Sequence, residues 1–272
     1  MEFMRSSVII SIAALAAMLA SPPPMLAQAA QGTQTLYDRL AKNSPGGPAP
    51  KRDLNGFWTG PAGATVLEPP PMTPLGQARF KQNIPDPFSA QSNDPYKTCD
   101  PFGFPRSAIT ETRGMGFAQI PPDRIMIMAQ FQRIYRVVWM DGRPLPKNVG
   151  VKGGPDTRWY GYSVGHWDGD YTLVVETTGL DDRTWIDKRG YPHSADAHVE
   201  ERYKRVDHNT LEVTITIDDP KMYTKRFVTA TNRFRWIPNQ EDEEQLCVPS
   251  EALEYLKVIA DPADQDQVTG KK

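Results

Sequence analysis

Alternation of apolar and polar residues marks much of the second half of the chain. Leu211, Val213, Ile215 and Ile217 alternate with polar residues, which predicts a strand with one face buried and the other in water. Similar runs rich in β-forming residues recur along the sequence and are bounded by turn residues. The predicted strands are 54–59, 124–130, 133–139, 160–167, 171–178, 199–206, 210–218 and 225–236.

Short turns join several of these runs. An Asp-Gly-Asp turn at 168–170 supplies the positive φ that a primed hairpin needs, and an Asp-His-Asn turn follows at 207–209. Successive strands without intervening helices pair as antiparallel neighbours, so the sequence predicts a mainly β fold built as an antiparallel meander. Closing a meander removes its exposed edges. We therefore expect a barrel, with an open sandwich as the alternative.

The first predicted strand contains a Gly-x-Trp sequence at 56–58. This sequence is similar to the opening strand of lipocalins, which supports a lipocalin-like barrel by analogy. A tryptophan that plugs the base of any β barrel or sandwich is the simpler interpretation of the same three residues.

The segment 61–105 is unusually rich in proline, and proline lacks the N–H group that a strand ladder requires. We expect a long extended arm over the surface of the domain. One helix interrupts it at 73–81, where Thr73 is the predicted N-cap and Pro74 takes the first position. Two further short helices are predicted, at 36–41 and 250–259.

The N-terminus resembles a cleaved signal peptide. Arg5 precedes an apolar run at 8–20, and Ala-Gln-Ala at 27–29 has the small-x-small pattern of a cleavage site. The run is too short to cross a bilayer comfortably, and an uncleaved anchor is the minor alternative. We expect an exported protein, periplasmic or secreted. Its predicted parts are a signal peptide (1–29), a polar linker (30–52), one β domain (53–248) and a C-terminal tail (249–272).

Charge and cysteine content restrict the partners. A formal net charge of −2 argues against a nucleic-acid partner, and the lack of a second long apolar segment argues against stable membrane insertion. In an exported protein the two cysteines, Cys99 and Cys247, predict a disulfide. Two free buried thiols are the alternative, and the sequence does not indicate an oligomeric state.

Candidate chemistry is concentrated between residues 158 and 206. His198, Glu200 and Arg202 alternate along one predicted strand, so their side chains share one face. If this face lines a barrel interior, an acid, a base and a cation converge there, as general acid–base catalysis requires. The alternative is an exposed strand face that carries cross-strand ion pairs.

Two carboxylates are candidate orienting partners for a histidine. Asp187 can fix the tautomer of His193 or His198 through an imidazole N–H, or it can simply close its own loop, and Glu201 is the second candidate. The expected catalytic set is thus His198, His193, Asp187 and Glu201. The spacing of the two histidines matches no zinc motif, so we expect neither a metal nor a cofactor. The expected substrate-binding residues are Arg106, Arg202, Trp159 and Trp185.

Several short phrases occur together in a fixed order. They are Cys-x-Pro-x-Gly-x-Pro-Arg at 99–106, Met-Asp-Gly-Arg-Pro at 140–144, Gly-x-Trp-x-Gly-Asp at 165–170, Thr-Trp-Ile-Asp at 184–187, Pro-His-Ser at 192–194 and Glu-Arg-Tyr at 201–203. In this combination the chain resembles an uncharacterised family of exported bacterial proteins, over about residues 54–247. The resemblance implies export and a β-rich fold, and it implies no particular activity.

Three functions fit these observations. The first is an exported, metal-free lyase, isomerase or hydrolase that acts by proton transfer on a small, partly apolar or aromatic molecule. The second is a non-catalytic, lipocalin-like carrier of a small apolar ligand. The third is an envelope interaction protein whose proline-rich arm contacts a partner. A cavity that encloses His198 would favour the first of these, and an apolar pocket with His198 outside would favour the second.

Overall fold

A sheet that closes on itself forms the body of the protein. The computed structural model describes residues 46–60, 65–66, 68–86, 89–109, 114–132, 134–238 and 245–262. The predicted signal peptide, the helix expected at 36–41 and much of the polar linker lie outside these residues. The strands are β1 (Gly56–Thr59), β2 (Thr65–Val66), β3 (Gly114–Ile120), β4 (Arg124–Ala129), β5 (Ile134–Trp139), β6 (Tyr162–Asp168), β7 (Thr172–Thr178), β8 (His198–Arg205), β9 (Thr210–Asp218) and β10 (Phe227–Ile237).

Pairing of the first and last strands closes the barrel. The strand order is β1-β3-β4-β5-β6-β7-β8-β9-β10, and β10 also pairs with β1 through Phe57↔Ile237 and its neighbours. Strand β2 adds to β10 beyond the ring. In the described residues this gives a closed barrel of nine strands, and it confirms the predicted mainly β barrel.

One strand pair departs from the predicted meander. Strands β5 and β6 run parallel and share only two residue pairs, Val138↔Ser163 and Trp139↔Val164. Parallel neighbours need a long crossover, and the connection 140–161 provides it. The barrel is therefore mixed, and its weakest seam lies between β5 and β6.

Strand β3 was missed because glycine weakens its β pattern. An added Cβ at Gly116 would lie 2.8 Å from both Met128 and Phe57. The neighbouring strands thus bring their side chains over the Gly116 backbone, and only glycine leaves them room. Tertiary packing favours glycine here against its low strand propensity.

The helices are short. They are α1 (Pro74–Gln82), a 3₁₀ helix (Pro95–Thr98), α2 (Arg106–Ile109) and α3 (Pro249–Tyr255), which continues as a π-helical turn (Leu256–Ala260). The predicted N-cap is confirmed, because the Gly76 N–H donates to Thr73 Oγ1 at 3.1 Å. Of the helices in the described ranges, none is long and apolar enough to span a membrane.

Trp58 plugs the interior of the barrel. It is fully buried, and its indole N–H donates to the Leu54 carbonyl at 2.9 Å. The Arg205 guanidinium lies over its ring, with Cζ 4.9 Å from the centroid. Inward-facing residues of β8 and β9 complete the packing, among them Val199, Tyr203, Leu211, Val213, Ile215 and Ile217.

The proline-rich arm is fastened at both of its ends. Near its start, the Thr73 N–H donates to the Met222 carbonyl at 2.9 Å. Near its end, Cys99 is bonded to Cys247, with their Cα atoms 5.4 Å apart. The predicted disulfide is therefore confirmed. It connects the arm to the segment that follows the last barrel strand.

Replacing both cysteines by serine tests this link. The bond joins residues 148 positions apart, and loop-closure entropy for such a length predicts a loss of about 4–5 kcal/mol of unfolding free energy. Urea denaturation of the two proteins measures the loss. Reduced wild-type protein is the matched control, and its urea midpoint should equal that of the double variant. Equal midpoints for oxidised wild type and double variant would contradict the expectation.

Candidate functional site

His198 lies on the outer face of the barrel. Along β8, Val199, Glu201 and Tyr203 are buried, whereas His198 and Arg202 are only partly covered. The apolar residues take the inner face, and the period of two places the alternate residues outside. Of the two placements that the sequence left open for the His198 face, the structure thus has the outer one.

The outward-facing residues of β8 make surface contacts. His198 Nε2 lies 3.8 Å from Glu176 Oε1 on the neighbouring strand. Arg202 forms an exposed ion pair with Asp168. These are the cross-strand contacts that the sequence left open as an alternative, and they enclose no cavity.

Glu201 lies inside the barrel in a buried polar network. Arg136 Nη2 donates to both Glu201 oxygens, at 2.9 and 2.7 Å, and the Tyr203 hydroxyl also donates to this carboxylate. Burial disfavours the charged form of Arg136, but Glu201 outweighs it and the pKa of Arg136 rises. Glu201 is thus a partner of Arg136 and does not contact a histidine.

Arg136 was not among the predicted site residues, although the sequence contains a signal for it. In Ile-Tyr-Arg-Val-Val-Trp, Arg136 has the same parity as Ile134 and Val138. All three are buried. A charged residue at an inward position of a strand requires a buried partner, and only the fold shows that this partner is Glu201 on β8.

Arg106 is also a structural residue. Its guanidinium donates to both oxygens of buried Asp94, at 2.8 and 3.1 Å. It lies over the rings of Phe102 and Trp185, at 5.1 and 5.6 Å from their centroids. The turn at 99–106 therefore presents Arg106 to the arm of the same chain, and the contacts of this guanidinium stabilise that arm.

His193 and Asp187 are both buried and lie close together in the sequence, but their side chains have different partners. His193 Nε2 lies 2.7 Å from Thr184 Oγ1, and Nδ1 lies 3.2 Å from the Ser194 carbonyl oxygen. Asp187 accepts hydrogen bonds from Arg189, with Nη2 at 2.8 Å. In the described structure Asp187 therefore orients Arg189 and neither of the two histidines.

A polar pocket of about 420 Å³ lies between the arm and the connection from β7 to β8. It brings together three predicted residues, Trp159, Trp185 and His193. Many of its polar side chains are already engaged, as in the contact of Arg79 with Asp182 at 3.4 Å. In the described residues, no group of three His, Cys, Asp or Glu side chains is placed to hold a metal ion.

A larger groove of about 630 Å³ opens at the weak seam between β5 and β6. Pairing of these strands begins only at Val138, so the first half of β5 has no paired strand on this side among the described residues. The connection that precedes β6 forms the opposite wall. Aromatic rings line much of the groove, and they belong to Tyr135, Trp139, Trp159, Tyr160 and Tyr162.

Polar groups are present at several depths of this groove. Arg136 and Ser163 lie at its buried side, and Arg143 and Arg158 line it further out. Burial raises the pKa of the Tyr160 phenol, although Arg136 partly opposes this, so Tyr160 is a neutral hydroxyl at physiological pH. The groove therefore combines flat apolar walls with hydrogen-bond donors.

Buried His193 predicts a pH-dependent stability. Burial is the main cause that lowers the pKa of His193, so the unfolded chain takes up the proton first as the pH falls below about 6.5. The stability present above this pH is then lost on acidification. Urea denaturation measures the unfolding free energy of wild type and of His193→Gln at pH 7.5 and at pH 5. The lower pH should reduce this free energy by about 1–2 kcal/mol more in the wild type than in the variant. A difference that is the same at both pH values would contradict the buried, neutral histidine.

Comparison with known proteins supplies no relative from which a role could be transferred. The chain matches no protein-family model, and no curated protein sequence matches it significantly. The resemblance to an exported bacterial family therefore stays a prediction from sequence motifs. The function of this chain has to be inferred from the groove and its residues.

Proposed function

We propose that this protein binds a small, partly aromatic molecule in the groove between β5 and β6, and that it acts as a carrier. The aromatic lining of this groove is the observation that carries the proposal. Its volume of about 630 Å³ falls within the roughly 300–1,000 Å³ of small-molecule sites. Export, predicted from the N-terminal sequence, would place the carrier in the periplasm or outside the cell.

The walls of the groove suit a flat ligand. Tyr135 is 65% exposed although it is a large aromatic residue on a barrel strand. Trp139 and Tyr162 are half-buried on the facing strands. Aromatic rings interact with one another in offset-stacked or edge-to-face arrangements. An aromatic ligand between these side chains would cover rings that now face solvent.

The arrangement of the polar residues supports a carrier over an acid–base enzyme. A catalytic acid or base must lie within hydrogen-bond reach of the reacting group. His198 is outside the barrel, His193 lines the separate polar pocket, and Asp187 is paired with Arg189. Glu201 does not line the groove, but it accepts a hydrogen bond from Arg136, which does. The acid–base enzyme and the envelope interaction protein stay predictions from the sequence.

Binding of two naphthalene probes tests the proposal. Isothermal titration calorimetry with 2-naphthoate and its neutral analogue 2-naphthamide should detect at least one of them. Tyr135→Ala should weaken the binding by about two- to tenfold, because an aromatic pair contributes about 0.5–1.5 kcal/mol beyond area burial. The change in total tryptophan fluorescence, to which Trp139 and Trp159 in the groove contribute, provides a second measurement.

Tyr171→Ala is the matched control. Tyr171 is also an exposed tyrosine, 41% accessible, and it lies in the β6–β7 turn and not in the groove. Its replacement should leave both affinities as they are in the wild type. The proposal fails if neither probe binds at millimolar concentration, or if the two tyrosine variants have the same effect.

A further inference from the structure

We infer that the groove selects aromatic carboxylates, and that Arg136 is the residue that binds the carboxylate oxygen. This inference rests on the proposed function, and it adds the chemical class of the ligand and the residue that recognises it. Three features of the groove support it: the sign of the charges that line it, an unused buried donor, and an exposed arginine without a carboxylate partner among the described residues.

The charged residues of the groove all have the same sign. Arg136, Arg143 and Arg158 line it, and none of its described lining residues is an aspartate or a glutamate. Arg136 is paired with Glu201, and Arg143 with Asp141 at 2.6 Å. Both pairs are neutral overall, so Arg158 leaves the groove with one net positive charge among the described residues.

Arg136 has a hydrogen-bond donor that the protein leaves unused. Nη2 donates to both oxygens of Glu201, whereas Nη1 is buried and has no hydrogen-bond partner in the part of the chain that the structure describes. The residue is only 7% exposed. A buried donor without a partner costs free energy, and a ligand oxygen that reached this atom would remove that cost.

A small second cavity also borders Arg136. Its volume is about 20 Å³, which is large enough for one water. The cavity is lined mostly by apolar side chains, among them Phe104, Ala108, Met115, Ile127 and Ile134. A buried water typically makes about three hydrogen bonds. The polar side chains that line the cavity belong to Arg136, Ser107 and Tyr203, and the Tyr203 hydroxyl already donates to Glu201.

Arg158 supplies the second contact, nearer to solvent. It is exposed, and its Cζ lies 4.0 Å from the centroid of the Tyr162 ring. No carboxylate of the described residues pairs with it. Arg143 is held differently, because it lies over Trp139 at 3.7 Å and is bound to Asp141. Arg158 is therefore the arginine of this groove that is available to an incoming anion.

The neighbouring groups indicate a monoanion. Arg136 is neutralised by Glu201 and Arg143 by Asp141, so a single negative charge balances the one net positive charge that Arg158 contributes. A carboxylate has one negative charge and two acceptor oxygens, and charge-assisted hydrogen bonds to arginine are strong. The neutral Tyr160 hydroxyl, which lines the same groove, is a further donor. The aromatic part of the ligand then lies against the rings of the walls.

The two naphthalene probes test the selectivity directly, because they share a ring system and differ in charge. Wild-type protein should bind 2-naphthoate at least about tenfold more tightly than 2-naphthamide, which corresponds to about 1.4 kcal/mol. Calorimetry gives both dissociation constants. The 2-naphthoate constant should also increase with salt, because exposed charges are screened.

Two variants assign the selectivity to residues. Arg136→Gln combined with Glu201→Gln removes the pair without leaving a buried charge, and the preference for 2-naphthoate should disappear. Arg158→Gln changes an exposed side chain and should reduce the preference by about threefold or more. Arg233→Gln is the matched control, because Arg233 is an exposed arginine paired with Glu212 outside the groove. It should keep the full preference.

Each outcome separates this inference from the function on which it rests. Equal binding of both probes by the wild type would overturn the carboxylate selectivity and leave the carrier proposal standing. Failure of both probes to bind would remove both proposals. If the double variant does not fold, Arg158→Gln and the wild-type ratio decide. A preference that survives in Arg158→Gln and in any folded Arg136 variant would also overturn the inference.

Discussion

The ion pair between Arg136 and Glu201 connects β5 and β8 across the interior of the barrel. Two charges in a protein interior lose much hydration, so such a pair is tolerated only when its geometry is good and its remaining groups are bonded. The carboxylate meets this condition, because Arg136 and Tyr203 both donate to it. The guanidinium meets it only in part, since Nη1 is without a partner in the described structure. The same side chain thus joins two strands and, in our proposal, contacts the ligand.

The seam beside this pair explains why a groove exists at all. Eight of the nine junctions in the described barrel are antiparallel, and the β5–β6 junction is parallel with only two residue pairs. The chain reaches β6 by a long crossover, and the first half of β5 is left without a paired strand. A barrel filled by its own core has no room for a ligand in the centre. The groove is consequently in the wall, and its buried side ends at Arg136 and Ser163.

Much of the fold follows from local patterns that the sequence displays. Strict alternation from Leu211 to Ile217 predicted β9 with its buried face, and the helix that begins after Thr73 was predicted from its cap. Strand β3 was missed, since the side chains of Phe57 and Met128 packed over Gly116 require glycine there despite its low strand propensity. The candidate site was predicted less well. Trp159 lines the groove, whereas His198, chosen from the polar residues of β8, lies on the wrong face.

The sequence by itself determined the class of fold, the positions of most strands and the capped helix, because each depends on side chains that are close together in the sequence. It also determined the disulfide, because each of the two cysteines has only the other as a possible partner within the chain. The tertiary structure decided which face of β8 is inside, that β5 and β6 run parallel, and that Arg136 meets Glu201. These features depend on contacts between residues far apart in the chain. A pattern with a period of two marks two faces, and only the packing of all the strands shows which one is enclosed.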